Sequence, residues 1–185
     1  MGKELFRVED KYGLVLVTQH GDKRVLSFGS NLEQSSVYMS RQYYLSHEYT
    51  QIMLLGFLFV EAKNITILGL GGGGLVHCLL RFFPQCEIKV AELRQSVIDI
   101  DYDWFELPKI EKLKIYHADA YDYLQTQGRE SADLIMSDLY VAEDGYLYCS
   151  WSRFNLPIVA IRDDTYMLGS KNHDYENEDD IDNIF

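Results

Sequence analysis

Between Asn64 and Glu92 the chain reads NITILGLGGGGLVHCLLRFFPQCEIKVAE. An apolar, β-branched run breaks into five glycines within the six positions Gly69 to Gly74. An apolar helical pattern follows, then a second apolar run that ends on one acid. Few folds have a use for that order. Strand, glycine turn, helix and strand make one βαβ unit, which implies a parallel sheet and a right-handed crossover. Glycines at Gly69, Gly71 and Gly73 permit positive φ and let a ligand touch bare backbone. The N–H groups of the next helix then face that ligand. Nucleotides, dinucleotides and S-adenosyl compounds all use such a turn, and a tight turn packed on a neighbouring helix is the plain alternative. No Gly-Lys-Ser/Thr follows, so the turn is not a P-loop.

The rest of the chain extends the pattern. Tyr12 to Gly29 reads as a β-hairpin turning at His20-Gly21-Asp22. Asn31 to Arg41 is polar and reads as a loop. Tyr43 to Val60 reads as a helix, with Tyr49, Ile52, Met53, Phe57 and Val60 near helical spacing. Strands are predicted over Asn64–Leu70, Glu87–Ala91, Lys112–His117 and Ala132–Ser137. Helices are predicted over Val76–Phe83, Gln95–Phe105 and Tyr121–Gln127. The expected fold is α/β: a Rossmann-like, doubly wound, mostly parallel sheet with a small N-terminal β-hairpin. The expected division is a hairpin region over 1–40, a nucleoside-binding domain over 41–172 and an acidic tail over 173–185.

The chain has 185 residues, enough for one such domain. Its net charge of −12 makes it a poor binder of nucleic acid, which needs Lys and Arg to neutralise phosphates. It suits a small or cationic substrate better. Asp174, Glu176, Glu178, Asp179, Asp180 and Asp182 crowd the end and read as a solvated tail. Cys78, Cys86 and Cys149 have neither CxxC spacing nor a neighbouring His cluster. No metal site is expected, and the odd count fits a reducing cytoplasm. MGKELFRVEDKYG lacks the apolar core of a signal peptide, and no apolar run reaches membrane-spanning length.

Ligands of a doubly wound sheet sit beyond the carboxyl ends of its strands. The glycines, Glu92, Asp119 and Asp138 all fall at such ends. An acid at Glu92, 23 residues after Gly69, can accept hydrogen bonds from both ribose hydroxyls of an adenosine ligand. The alternative is a solvated strand-end carboxylate. Asp119 can accept from an adenine amino group or cap the helix that follows, and the two roles are compatible. Asp138 lies over the reactive end of the ligand, where a carboxylate can orient or deprotonate an incoming amine. It can equally anchor the following loop.

With those residues placed, the chain resembles the polyamine aminopropyltransferase (spermidine synthase-like) family, on the class I S-adenosylmethionine methyltransferase fold. The resemblance runs from about Tyr12 to Asp144. It rests on the hairpin, QSSVYMSRQYYLSHEYTQIM, ILGLGGGG, VAEL, HADAYDYL and DLIMSDLY. It implies that Glu92 binds the ribose, that Asp119 with Ala120 binds the adenine, and that Gln34 closes over the nucleoside. It implies that Asp138 is the general base and that Tyr49 helps position the amine. It implies S-adenosylmethionine or its decarboxylated form as co-substrate, and a homodimer.

Two acids of the family pattern are replaced. The aspartate of Gly-Gly-Gly-Asp-Gly, which holds the donor's amino group, is Gly72 here. The second acid of Asp-Ser-Ser-Asp, which helps bind the diamine, is Val141. Each lost charge-assisted contact is worth about 1.5–3 kcal/mol. The pattern is therefore similar to a non-classical branch. After the fourth strand the family has a helix, a strand and a helix before a closing antiparallel pair. Leu156–Ala160 and Tyr166–Ser170 read as that pair, so the C-terminal part is expected to be shortened.

The expected function is transfer of an aminopropyl or methyl group from an adenosyl donor to a small acceptor, with an amine foremost. The alternative is a nucleoside-binding protein that kept the fold and lost the acceptor site. A nicotinamide-dependent oxidoreductase shares the strand–glycine–helix–acid logic but has no required place for Asp119 and Asp138.

Overall fold

A computed structural model describes residues 2–29, 33–128 and 131–139, and the backbone of 158–162 and 165–168. The described residues build two sheets. The first is antiparallel, ordered β1 (Lys3–Asp10), β2 (Gly13–His20), β3 (Lys23–Phe28), β4 (Glu33–Tyr38). The second has the order β10-β9-β8-β5-β6-β7. Its strands are β5 (Asn64–Leu68), β6 (Glu87–Glu92), β7 (Leu113–His117), β8 (Leu134–Ser137), β9 (Ile158–Arg162) and β10 (Thr165–Leu168). All neighbours pair in parallel except β9 and β10.

The expected α/β class holds. From β5 the chain steps through β6 to β7, then returns to lay β8 on the other side of β5. The β5/β8 junction is the switch point where such sheets take ligands. Helix α2 (Gly74–Phe82) follows β5, α3 (Gln95–Trp104) follows β6, and α4 (Ala120–Thr126) follows β7. The apolar spacing read from the sequence is the buried face: Leu75, Val76, Cys78 and Leu79 in α2. Ile65, Ile67 and Leu68 of β5 are 1 % exposed, as a strand covered on both faces should be.

The hairpin around Gly21 is present but is only half of its sheet. Strand β1 was missed because KELFRVED carries the charges of an edge strand; only Leu5 and Val8 turn to the core. The expected loop over Asn31–Arg41 is β4 followed by a short 3-10 turn, Met39–Arg41. Its serines hid the strand, yet Ser36 and Val37 are buried against the second layer.

The long helix expected over Tyr43–Val60 is also corrected. Helix α1 covers only Glu48–Met53 and tightens to 3-10 over Leu54–Leu58. Gly56 sits inside that last turn, and glycine costs about 1 kcal/mol relative to alanine in a helix. The closing pair is β9 and β10, shifted by about two residues from expectation. Val141, the segment 141–157 and the acidic tail lie outside the described residues.

Candidate functional site

Positive φ or close neighbours disfavour a side chain at Gly69, Gly71, Gly72 and Gly73. Gly69 has φ +87°, and its N–H donates to the Ala91 carbonyl at 2.8 Å. A methyl group there would stand on the Asp138 carbonyl, 3.0 Å from its carbon and closer still to its oxygen. Gly71 and Gly73 also take positive φ, with Gly73 as the left-handed residue before α2. At Gly72 a methyl group would meet the Phe105 ring at 3.0 Å, and Phe105 is fully buried. The acid that the family pattern places here would fit only if the buried Phe105 ring shifted. The Gly72 N–H donates to Ser35 Oγ at 3.0 Å.

Glu92 closes β6 directly beside the turn. Its Oε2 accepts from Leu70 N and its Oε1 from Arg94 N, both at 2.9 Å. The acid is thus a brace for the glycine turn. Burial pushes its carboxyl above the usual range, against the two backbone donors and the charges of Arg94 and His117. Each oxygen keeps a further lone pair, so bracing and accepting from a sugar hydroxyl are compatible.

Asp138 follows β8 across the junction, its N–H donating to the Leu68 carbonyl at 2.7 Å. Its side chain is half-buried and is hydrogen-bonded to Tyr49 of α1. Burial pushes the carboxyl up to about 6, Tyr49 pulls it down, and the Glu92 charge raises it further. Burial and the neighbouring Asp138 raise the Tyr49 phenol, which keeps its proton and donates. An acid that titrates near neutrality, with a fixed donor on it, can take a proton from an amine. Tyr49 and Asp138 have separate roles in the sequence pattern, and the fold brings the two side chains together.

Asp119 and Ala120 lie at the end of β7. Asp119 caps α4, with Oδ1 accepting from Tyr121 N at 2.8 Å and from Asp122 N at 3.3 Å. The side chain is exposed, and Oδ2 takes no part in the cap. Gln34 is half-buried on β4, next to the Ser35 that touches the turn. The glycines, Glu92 and Asp138 therefore border one another, with Asp119 one strand further out; it is Ser35, not Gln34, that touches the turn.

Three participants escaped sequence reading. Ser35 looked like loop. Asp101 lies on the apolar face of α3, four residues after Val97 and four before Phe105, and that misplacement was its signal. It is fully buried, neither oxygen finds a hydrogen bond among the described residues, and its Oδ2 is 3.1 Å from where a Gly73 methyl would sit. Burial, then the Glu92 charge, raises its carboxyl well above the ordinary value. Arg94 reaches from the end of β6 to the first sheet. Its guanidinium holds both oxygens of Asp10 at 2.8 and 3.0 Å, donates to the Gly13 carbonyl and lies over the Phe28 ring.

Among the described residues no cluster of three or more His, Cys, Asp or Glu could hold a metal ion. No described helix is long and apolar enough to cross a membrane.

No protein-family model matches the chain. Among known proteins, the polyamine aminopropyltransferase of Neisseria meningitidis is 31 % identical over 130 residues, covering 69 % of this chain and 49 % of the relative. The chain thus spans about half the length of the aminopropyltransferases it matches. The eEF1A lysine and N-terminal methyltransferase of Xenopus laevis is 28 % identical over 120 residues, covering 59 % of this chain and 17 % of the relative. Among solved structures, a probable spermidine synthase from Corynebacterium glutamicum superimposes with a TM-score of 0.66 at 20 % identity, covering 74 % of this chain and 52 % of that one. A spermidine synthase in complex with the transition-state analogue AdoDATO gives a TM-score of 0.62 at 14 % identity, covering 76 % and 48 %. By sequence the chain is a relative of the polyamine aminopropyltransferases, and by fold it is a class I methyltransferase-like protein.

Proposed function

We propose that the chain binds an adenosyl sulfonium donor in the glycine-turn cleft and transfers an alkyl group from it to an amine. The observation that carries this reading is the junction of β5 and β8. There a glycine turn with backbone bare at Gly69, Gly71 and Gly73, a buried acid bracing it and a Tyr49-bonded carboxyl meet at one sheet edge. The cradle fits an adenosyl ligand. Glu92 would accept from the ribose, Asp119 through Oδ2 from the adenine, and Gln34 would cover the nucleoside. The donor supplies an electrophilic carbon next to its positive sulfur.

The chain's own part is positioning and proton handling. An amine at the Tyr49–Asp138 pair loses its proton to the Asp138 carboxylate. Tyr49 keeps that carboxylate aimed and lowers the cost of its charge. Gly72, closed off by Phe105, offers no carboxylate to a free donor amine, which favours intact S-adenosylmethionine and methyl transfer. Relatives named for aminopropyl transfer and for lysine methylation flank this reading from both sides.

Isothermal titration calorimetry with S-adenosylmethionine, its decarboxylated form, methylthioadenosine and NAD tests it. The adenosyl-sulfur compounds should bind and NAD should not, with S-adenosylmethionine the tighter donor. Silence from all four ends the reading. A nucleoside-binding protein without transfer would bind the same compounds, need Glu92, and be indifferent to Asp138→Asn.

A further inference from the structure

Tyr49 packs against the core, and its outer ring neighbour, His47, is tied to the first sheet. Lys23 on β3 meets the Glu33 carboxylate on β4 at 2.7 and 2.9 Å. Glu33 Oε1 lies 3.4 Å from His47 Nε2, and Ser36 Oγ lies 3.5 Å from the same nitrogen. Ser36 Oγ is in turn 2.8 Å from Ser46 Oγ. His47 is the residue on which α1 begins, and its carbonyl accepts from Thr50 Oγ1 at 2.7 Å. Its ring lies 5.6 Å from the Tyr49 ring at 32°. Both polar neighbours meet one ring nitrogen, so Ser36, His47 and Glu33 do not form a nucleophile–base–acid chain, which needs both nitrogens. The imidazole is better placed as a wedge: anchored on one side by Glu33 and Ser36, pressed on the other against Tyr49.

We infer that His47 is a positioning residue for the Tyr49–Asp138 pair, with Glu33 as the anchor that fixes its ring. The inference rests on the proposed role of that pair, and it makes the first sheet a working part of the acceptor side. Burial lowers the imidazole's affinity for a proton, Glu33 opposes and Lys23 assists, which favours the neutral ring. A neutral ring with Nε2–H directed at Glu33 keeps the tautomer fixed. The groups that set the Asp138 charge are then Tyr49 and Glu92, and only Tyr49 is reached through His47.

The test is the titration of the Asp138 carboxyl in the full chain, followed by carbon-13 NMR and assigned by loss of the signal in Asp138→Asn. Tyr49→Phe removes a hydrogen bond to the charged form, so the midpoint should rise from about 6 by about one unit. His47→Ala should move it in the same direction by a smaller amount. In the double variant His47→Ala/Tyr49→Phe the midpoint should match Tyr49→Phe alone. A merely structural His47 would leave the midpoint where it is while Tyr49→Phe moves it, and that result overturns the inference. Should His47→Ala fail to fold, Glu33→Gln decides in the same way, because it loosens the anchor without emptying the space. Failure of the wild-type chain to bind adenosyl compounds would remove the transferase reading and leave this titration intact.

Discussion

Replacing Asp101 by Asn should make the protein more stable. Asp101 is fully buried on α3 under the glycine turn, and neither carboxyl oxygen has a hydrogen bond among the described residues. A polar group buried without a partner costs about 1–3 kcal/mol, and a charge would cost more. The native state avoids the charge by keeping the proton, so the carboxyl sits well above its ordinary value of 3.8. The sign follows. The native chain holds this proton more tightly than the unfolded chain does. That advantage is complete below 3.8 and is lost as pH rises towards the native value. Asparagine has nearly the same shape and no proton to hold, so the variant escapes the loss.

Between the unfolded value of 3.8 and the raised native value, Asp101→Asn should gain about 1.4 kcal/mol on the wild type for each pH unit, or roughly 3–6 °C in Tm for a chain of this size. Urea unfolding followed by circular dichroism between about pH 4 and 8 measures the gap directly. The gap should be near zero at the acid end and widen steadily with pH. A variant that is no more stable at neutral pH, or a gap that ignores pH, would refute the reading of Asp101 as an unpaired acid.

Other expectations test the site and its supports. Gly72→Asp, which restores the family's acid, should lose about 1–3 kcal/mol by overpacking against Phe105; Phe105→Leu in the same chain should recover part of the Tm. Amine alkylation should accelerate as pH rises through about 6, where Asp138 sheds its proton, and a rate already at plateau by pH 5 would rule Asp138 out as the proton acceptor. Arg94→Met should cost about 1–3 kcal/mol, below the figure for a fully buried pair, because water reaches the Asp10 side; that side is 23 % exposed. It should also remove the acid sensitivity that the Asp10–Arg94 pair contributes, since the pair holds Asp10 below the usual range and its benefit fades as pH falls through that range; urea curves at two acid pH values check both.

The second sheet was legible because its strands are buried on both faces and its helices carry wide apolar stripes. Ile65 to Leu68 and Leu75 to Leu79 leave little choice of period. The turn between them was legible because only glycine can stand on the Asp138 carbonyl. The first sheet was legible where it is central, at Val15, Val17 and Leu26. It failed at its margins: β1 wears edge charges, and β4 hides in serines whose hydroxyls serve the neighbouring layer. Periodicity overran at α1, because it counts apolar positions and cannot see that Gly56 changes the hydrogen-bond pitch. The carboxylates at the strand ends were readable as positions. Their partners were not, since Tyr49 and Asp138 are 89 residues apart in sequence and only the fold joins them.

The Arg94 contact with Asp10 also bears on how the chain can be cut. A truncation that begins at Tyr12 would remove one edge strand and look harmless in a diagram of the fold. It would strand a guanidinium that is 7 % exposed, with its carboxylate gone, and it would loosen the residue whose N–H holds Glu92 in place. The two sheets should therefore melt in a single cooperative transition, and a shortened protein should lose the glycine turn together with its first eleven residues.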